Sequence, residues 1–279
     1  MNKKTNRTKR TKRRLQKKKR NTKKKLFKKY KKTKGGGSNN NKTSLRYVTK
    51  MSINNGAATY TGYINAKDQL HGTGTINAEG GDKYEGDWVD NKRHGIGTYT
   101  YNNGDIYKGG WVDNKRTGTG TYTDSNGNKY KGQWKDDNMH GEGTYTDLYG
   151  NEYKGQWDHG KRTDEGTMTY NNGDIYTGKW DDGYMHGTGK MTYKNGDIYE
   201  GDWADGYMHG TGTMIYDNGD KYDGGWVKNK KHGMGTFTYN NRRQVRGKWV
   251  NDVYQQPIGV LHKIAHANGT IVASPHYGS

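Results

Sequence analysis

Eight tryptophans, Trp88, Trp111, Trp134, Trp157, Trp180, Trp203, Trp226 and Trp249, follow one another at a constant step of 23 residues, and the chain has no others. A fixed period of this length marks a repeat architecture, in which each unit can bury its apolar face only against its neighbours. The residues around each tryptophan recur with it. A tyrosine stands four positions earlier at Tyr84, Tyr107, Tyr130, Tyr153, Tyr176, Tyr199 and Tyr222, with Val245 in its place in the last unit. A glycine lies between the two, from Gly62 to Gly247, in every unit.

Side chains alternate across a β-strand, so Tyr84, Gly86 and Trp88 share one face. The unit 84–106 reads as a hairpin: strand 84–89, a loop over 90–93, a second strand 95–101, and a turn at 102–105 leading to the next unit. Gly95, Gly97, Tyr99 and Tyr101 share one face of the second strand, and Glu85, Asp87, Ile96, Thr98 and Thr100 point the other way. Gly86 and Gly97 leave bare backbone on which a large ring can lie, and the tryptophan is the ring expected there. A single hairpin is unstable alone, so hairpins must stack edge to edge. Only 28% of the residues are apolar, which excludes a thick aliphatic core and leaves burial to aromatic rings on a glycine-rich backbone.

A second element, His-Gly-x-Gly, follows at His71, His94, His140, His186, His209 and His232, with Thr117 and Thr163 as substitutions. Asp164 replaces one of its glycines, so the fifth unit is irregular. The first unit runs 24 residues from Tyr60 to Tyr84, has Ile64 for tryptophan, and needs a one-residue bulge. Ahead of it, Leu45, Tyr47, Met51 and Ile53 alternate before Asn55-Gly56, the strongest short hairpin signal, and read as a half repeat opening the array.

Together, Tyr-x-Gly-x-Trp and His-Gly-x-Gly at a 23-residue period resemble the MORN (membrane occupation and recognition nexus) repeat family over residues 45–254. That resemblance implies an all-β fold, an elongated, twisted, single-layer antiparallel sheet of about eight to nine 23-residue hairpins. It also implies a non-catalytic scaffold that binds protein partners or anionic phospholipid, or organises membrane-associated assemblies. Its repeat-defining positions here are Tyr84, Gly86, Trp88, Gly95 and Gly97, with Trp111, Trp134, Trp157, Trp180, Trp203, Trp226 and Trp249. The lysine- and asparagine-rich bias and the basic leader also resemble proteins of large DNA viruses.

Charge divides the chain differently. Of its 48 Lys and Arg, 20 fall in residues 1–34, which hold no acid, and the remaining 28 match the 28 Asp and Glu of residues 35–279. The whole net charge of +20 therefore belongs to the leader. Like charges repel and little there can be buried, so 1–34 is expected to be a disordered tail, with 35–44 a flexible linker. Lys9, Arg10, Lys12, Arg13 and Arg14, followed by Lys17, Lys18, Lys19 and Arg20, suit a nuclear import signal, a nucleic-acid anchor or an anionic membrane surface equally well. Residues 255–279, with Ile258, Val260, Leu261 and Ile264, are more aliphatic and read as a cap on the last sheet edge or a partner-binding tail.

Other chemistry is weakly signalled. Cysteine is absent, which removes disulfides and thiolate metal sites. Gly-x-Gly lacks the third glycine and helix of a nucleotide loop, so no cofactor is expected. Histidines one repeat apart stand roughly 9–10 Å from each other, too far to share an ion, and His262 and His266 alone make a poor site. Asp105, Asp174, Asp197 and Asp220 suit either a calcium ladder or turn capping, and capping needs no ion. Lys131, Lys154, Lys179 and Lys248 are expected around the aromatic face, where they would favour stacked bases or a peptide strand. No signal peptide or membrane-spanning run is evident, so the protein is read as intracellular, cytoplasmic or membrane-peripheral, with the nucleus or a virion also open. No small-molecule substrate or enzyme activity is expected.

Overall fold

The computed structural model describes residues 44–256. Within them nineteen strands form one open sheet. Each strand pairs antiparallel with the next in the chain, from Arg46–Ile53 against Ala58–Ile64 to Gln244–Val250 against Val253–Gln255. The all-β hairpin array expected from the period is the observed fold. The basic leader, most of the linker, and the aliphatic residues from 257 onward lie outside the described residues.

The repeat can be followed at Lys83–Val89 and Lys92–Thr100. The connection between them is tighter than the four-residue loop its sequence suggests. Only Asp90 and Asn91 turn, with φ of 48° and 68°, because Asp and Asn tolerate the left-handed region that a two-residue hairpin turn requires. Lys92 and Arg93 therefore belong to the second strand, and Arg93 pairs directly with Trp88.

A register shift follows. Gly86 faces Gly97 but Asp87 faces His94, so Gly95 and Ile96 have no partner on that side, while on the other they pair regularly with Trp111 and Gly110. Gly95 carries φ of 61° at this bulge and does not simply continue the alternation toward Gly97. The Asp87 carboxylate fills the gap, accepting from Ile96 N–H at 2.9 Å. The two glycines of Gly-x-Gly thus have different duties, one conformational and one steric.

The steric duty belongs to an unbroken line. Gly62, Gly74, Gly86, Gly97 and their successors to Gly247 pair across every junction from Ala58–Ile64 to Gln244–Val250, one glycine from each of these strands. The ring lying over each pair is the tyrosine, not the expected tryptophan. A Cβ on Gly86 would come within 2.6 Å of the Tyr84 hydroxyl and 2.5 Å of the Gly97 Cα. The hydroxyl itself donates to the Asp87 carbonyl at 3.1 Å, beside the register shift, and the same bond recurs at Tyr107, Tyr130, Tyr153, Tyr176, Tyr199 and Tyr222.

Tryptophan links units instead. The Trp157 ring stands edge-on to Tyr153 of its own hairpin at 5.3 Å and to Tyr130 of the preceding one at 5.2 Å. Its indole N–H donates to the Gly143 carbonyl in the preceding unit at 3.3 Å. Trp88, Trp111, Trp180, Trp203 and Trp226 do the same, whereas the Trp134 and Trp249 indoles have no acceptor within reach. Tyrosine and tryptophan alternate as an edge-to-face ladder that is the buried core, each contact adding about 0.5–1.5 kcal/mol beyond the area it buries.

The ends of the array depart from the repeat in explicable ways. A bulge between Val48 and Met51, with Lys50 at φ of 48°, reverses the alternation in the first strand. Val48, Met51 and Ile53 consequently pack on the core while Leu45 and Tyr47 are exposed, so the expected common face of Leu45, Tyr47, Met51 and Ile53 is not formed. The connection at Asn55-Gly56 is a short 3-10 turn, Asn54–Gly56, in place of a two-residue turn. The extra residue of the first unit sits in the turn at 65–69, where Asn65 accepts from Lys67 N–H and Gln69 N–H. At the other end Val245 cannot cover the last glycine, and Tyr254 from the final strand lies against Gly247 instead.

Two outcomes follow. Trp157→Ala removes an edge-to-face contact in two units at once, so urea unfolding should show a loss of about 3–5 kcal/mol. Alkaline stability is set by the buried phenols: desolvation pushes Tyr60, Tyr107, Tyr130, Tyr153 and Tyr222 up to about 12. Their contribution is whole below the unfolded pKa near 10 and is lost as pH rises through about 12, because the unfolded chain releases those protons first. Tyrosinate absorbance and circular dichroism, followed together, should change in one late alkaline step.

Candidate functional site

The two faces of the sheet differ in chemistry. One presents the threonine line Thr98, Thr121, Thr144 and Thr167 with Lys108, Lys131 and Lys154 paired between them. The other carries the core ladder, flanked by half-buried Tyr99, Tyr122, Tyr145, Met168 and Phe237 and, farther along, Tyr170, Tyr193 and Tyr216. Strand alternation therefore places Lys131, Lys154, Lys179 and Lys248 on the face opposite the rings, all exposed, and the expectation that they surround the aromatic face is corrected.

The cations on the aromatic face are others. The tight turn brings the second residue of each returning strand over the tryptophan of the next unit. Arg93 lies 4.5 Å from the Trp111 ring centroid, Arg116 4.4 Å from Trp134, Arg162 4.5 Å from Trp180, and Lys231 5.1 Å from Trp249. Elsewhere the same position is apolar: Leu70, Met139, Met185 and Met208. Reading 90–93 as loop concealed these residues. The signal that could have found them is the 23-residue recurrence of a long side chain just before the histidine position. Burial lowers the pKa of both Arg162 and Lys231.

Along both edges of the sheet, side chains tie one unit to another. At one edge the turn residue accepts from the backbone of the following turn: Asp105 from Ser125 N–H at 2.8 Å, Asp174 from Lys194 at 2.9 Å, Asp197 from Asp217 at 2.8 Å, and Asp220 from Asn240 at 2.8 Å. These carboxylates cap turns. Tyr122 also donates to Asp105, which holds that carboxyl below the usual carboxylate range. At the opposite edge Asn91, Asn114, Asp137, Asn229 and Asp252 accept from the preceding unit, at Leu70, Arg93, Arg116, Met208 and Lys231.

Arg116 makes three such bonds. Asp137 Oδ1 accepts from its backbone N–H at 2.9 Å and from Nε–H at 3.1 Å, while the Asp137 carbonyl accepts from the guanidinium at 2.8 Å. Asn114 holds Arg93 in the same manner.

Histidines occupy the register shift, His94 opposite Asp87, His140 opposite Gln133 and His209 opposite Asp202. His71 pairs with Asp90 at 3.3 Å and His140 with Asp158 at 3.1 Å. Among the described residues no three His, Asp or Glu side chains converge as metal ligands would. His262, His266 and the basic cluster from Lys9 to Arg20 lie outside the described residues. Among the described residues no helix is long and apolar enough to cross a membrane.

A single antiparallel sheet of stacked hairpins, held by one tyrosine, one tryptophan and two glycines per 23 residues, defines a repeat protein. The MORN repeat profile matches residues 84–106, 107–129, 130–147, 153–175, 176–198, 199–221 and 222–242, and the chain belongs to the MORN repeat family. No curated protein sequence matches it. Among solved structures it is similar to a point mutant of the TCP10 domain of Danio rerio CPAP, at 12% identity and a TM-score of 0.39, over 74% of this chain and 99% of that one. The wild-type domain, in complex with a peptide of Danio rerio STIL, gives 10% identity and a TM-score of 0.37 over 68% and 90%. The Drosophila melanogaster dCPAP TCP domain, with a proline-rich motif of dSTIL, gives 13% and 0.32 over 77% and 97%.

The edge bonds should be measurable individually. Asp137→Gly keeps the left-handed turn but removes the oxygen shared by two Arg116 donors, and should cost about 1 kcal/mol in chemical denaturation, since the pair is partly solvated. Asp137→Asn reproduces the arrangement at Asn114 and should retain most of that stability.

Proposed function

We propose that the chain is a non-catalytic interaction scaffold whose aromatic face receives protein partners. The observation that carries this reading is the half-buried row of rings and methionines on that face, recurring in each unit beside the core. The fully buried ladder consumes one tyrosine and one tryptophan per unit, and the further rings are surplus to it. Flat, amphipathic rings on a rigid backbone give contact area at small entropic cost. Half-buried cations among them add polar contacts that select a partner.

The basic cluster Lys9, Arg10, Lys12, Arg13, Arg14, Lys17, Lys18, Lys19 and Arg20 is proposed to hold the scaffold on a polyanion, an anionic membrane surface first and nucleic acid as the second reading. The concentration of all excess charge in residues 1–34 supports both.

A photo-crosslinking residue at position 145, on the aromatic face, should capture partner proteins in cells, and the same residue at position 144, on the opposite face, should not. Equal capture at both positions, or capture only at 144, would remove the assignment of the face. Deleting residues 1–34 should weaken binding to phosphatidylserine vesicles roughly tenfold or more at low salt. If duplex DNA binding falls steeply with salt while vesicle binding is untouched by the deletion, the nucleic-acid reading replaces the membrane one.

A further inference from the structure

Each cation over a tryptophan is held from the next unit, with one exception. Arg93 has Asn114 and Arg116 has Asp137, both through a single side-chain oxygen that takes the backbone N–H and the Nε–H together. Lys231 has Asp252 on its backbone N–H at 2.9 Å. At Arg162 the corresponding turn residue is Gly183. Among the described residues Arg162 has no ion pair, and no hydrogen bond of its side chain or backbone N–H to another side chain is formed. The nearest acid in that turn, Asp182, is engaged by Lys161. Glycine also occupies this turn position at Gly160 and Gly206, but the residues they face are Met139 and Met185, which ask for no anion.

What is missing at Arg162 has a definite shape. A Cβ built on Gly183 would meet nothing within 4 Å, so the place from which the Asp137 side chain extends two units earlier in the array is open here. The guanidinium lies over the Trp180 ring at 4.5 Å and near Tyr153 at 5.5 Å, which fixes its plane and shields it partly from water. A half-buried guanidinium that no neighbouring side chain holds is free to take an anion, and a carboxylate supplies both charge and two acceptors. Burial pulling its pKa down is consistent with that uncompensated charge.

We propose that Arg162, with the opening beside Gly183, is a socket for a carboxylate, and that the occupant is an Asp or Glu side chain of the protein partner docked on the aromatic face. The identity of the partner rests on the scaffold reading above; the socket itself does not. The filled copies at Arg93 and Arg116 each use one planar oxygen, of an amide and of a carboxylate, to bridge two N–H donors, and a carboxylate is favoured because it also brings the charge that pairs with the guanidinium.

The test uses the full-length chain labelled at arginine and backbone nitrogen, titrated with sodium acetate and, separately, with inorganic phosphate while nuclear magnetic resonance follows the Nε–H signals. Acetate should shift Arg162 Nε–H and backbone N–H together and saturably, with Arg93 and Arg116 unmoved. Gly183→Asp, which rebuilds the Asp137 arrangement, should weaken the response at least roughly tenfold by filling the socket. Arg162→Met copies residues already present at Met139 and Met185, so it should fold and should abolish the site.

An equal shift at Arg116, survival of binding in Gly183→Asp, or phosphate binding tenfold tighter than acetate would each overturn the carboxylate socket. If acetate binds as described while crosslinking at position 145 captures nothing, the socket stands and the protein-partner reading fails. If crosslinking succeeds and acetate does not bind, the reverse holds.

Discussion

One contact fixes the rest of this structure: a tyrosine ring lying flat over two glycines paired across a hairpin. No other residue can occupy those glycine positions, because a Cβ would collide with the ring hydroxyl or with the facing backbone. Each strand from Ala58–Ile64 to Gln244–Val250 therefore donates one glycine at the same level, and the glycines align into a line running through the array. Glycine ordinarily weakens a strand. Here the ring it admits is fully buried, and its hydroxyl satisfies the carbonyl beside the register shift. The low aliphatic content follows from this choice, since the core is one ring thick and built from aromatic edges and faces.

Coupling between units runs in both directions. Tryptophan reaches back to the glycine carbonyl of the preceding unit, the hairpin-turn Asn or Asp also reaches back along one edge, and the Asp or Asn of the connecting turn reaches forward along the other. A unit in the middle is thus held by both neighbours, and a terminal one must find substitutes. Tyr254 does so at the last glycine, and the bulged strand Arg46–Ile53 does so at the first unit by presenting Val48, Met51 and Ile53 to the core. Stability in such an array is a sum of unit and interface contributions, so loss of one tryptophan is felt in two units.

Much of this was legible in the amino-acid order. The tryptophan step gave the unit, alternation gave its two faces, and the invariant glycine marked a close approach of ring to backbone. Which ring lies there was not legible, because tyrosine and tryptophan share a face and periodicity carries no distance. The cations were missed for a related reason. Asp90-Asn91-Lys92-Arg93 is uniformly polar, and only the left-handed conformation of its first two residues shows that the last two extend the strand and place Arg93 over Trp111. Parity at Leu45 and Tyr47 failed because a bulge at Lys50 leaves no trace in composition. The irregular unit flagged by Asp164 proves locally benign: Asp164 adopts φ of 50° in place of glycine and keeps its pairing with Trp180.

Periodicity poses a problem for recognition that the departures from it address. Neighbouring units stand about two strand spacings apart, roughly 9–10 Å, and they present nearly the same rings, so a partner gripping only those rings could bind equally well one unit along. A position used once removes that degeneracy. Three successive hairpin turns, His159-Gly160, Asp182-Gly183 and Asp205-Gly206, have glycine at the second position, where the turns before and after them carry Asp137 and Asn229, yet the opposite edge keeps its forward bonds through the same units. The sheet is therefore held there while this edge keeps the backbone bonds from Gly160, Gly183 and Gly206 to the preceding unit but lacks the side-chain one. Of the three residues facing those glycines, Arg162 alone carries a charge. An interaction that requires its guanidinium has a single register on the array, which is the property a scaffold built from repeats otherwise lacks.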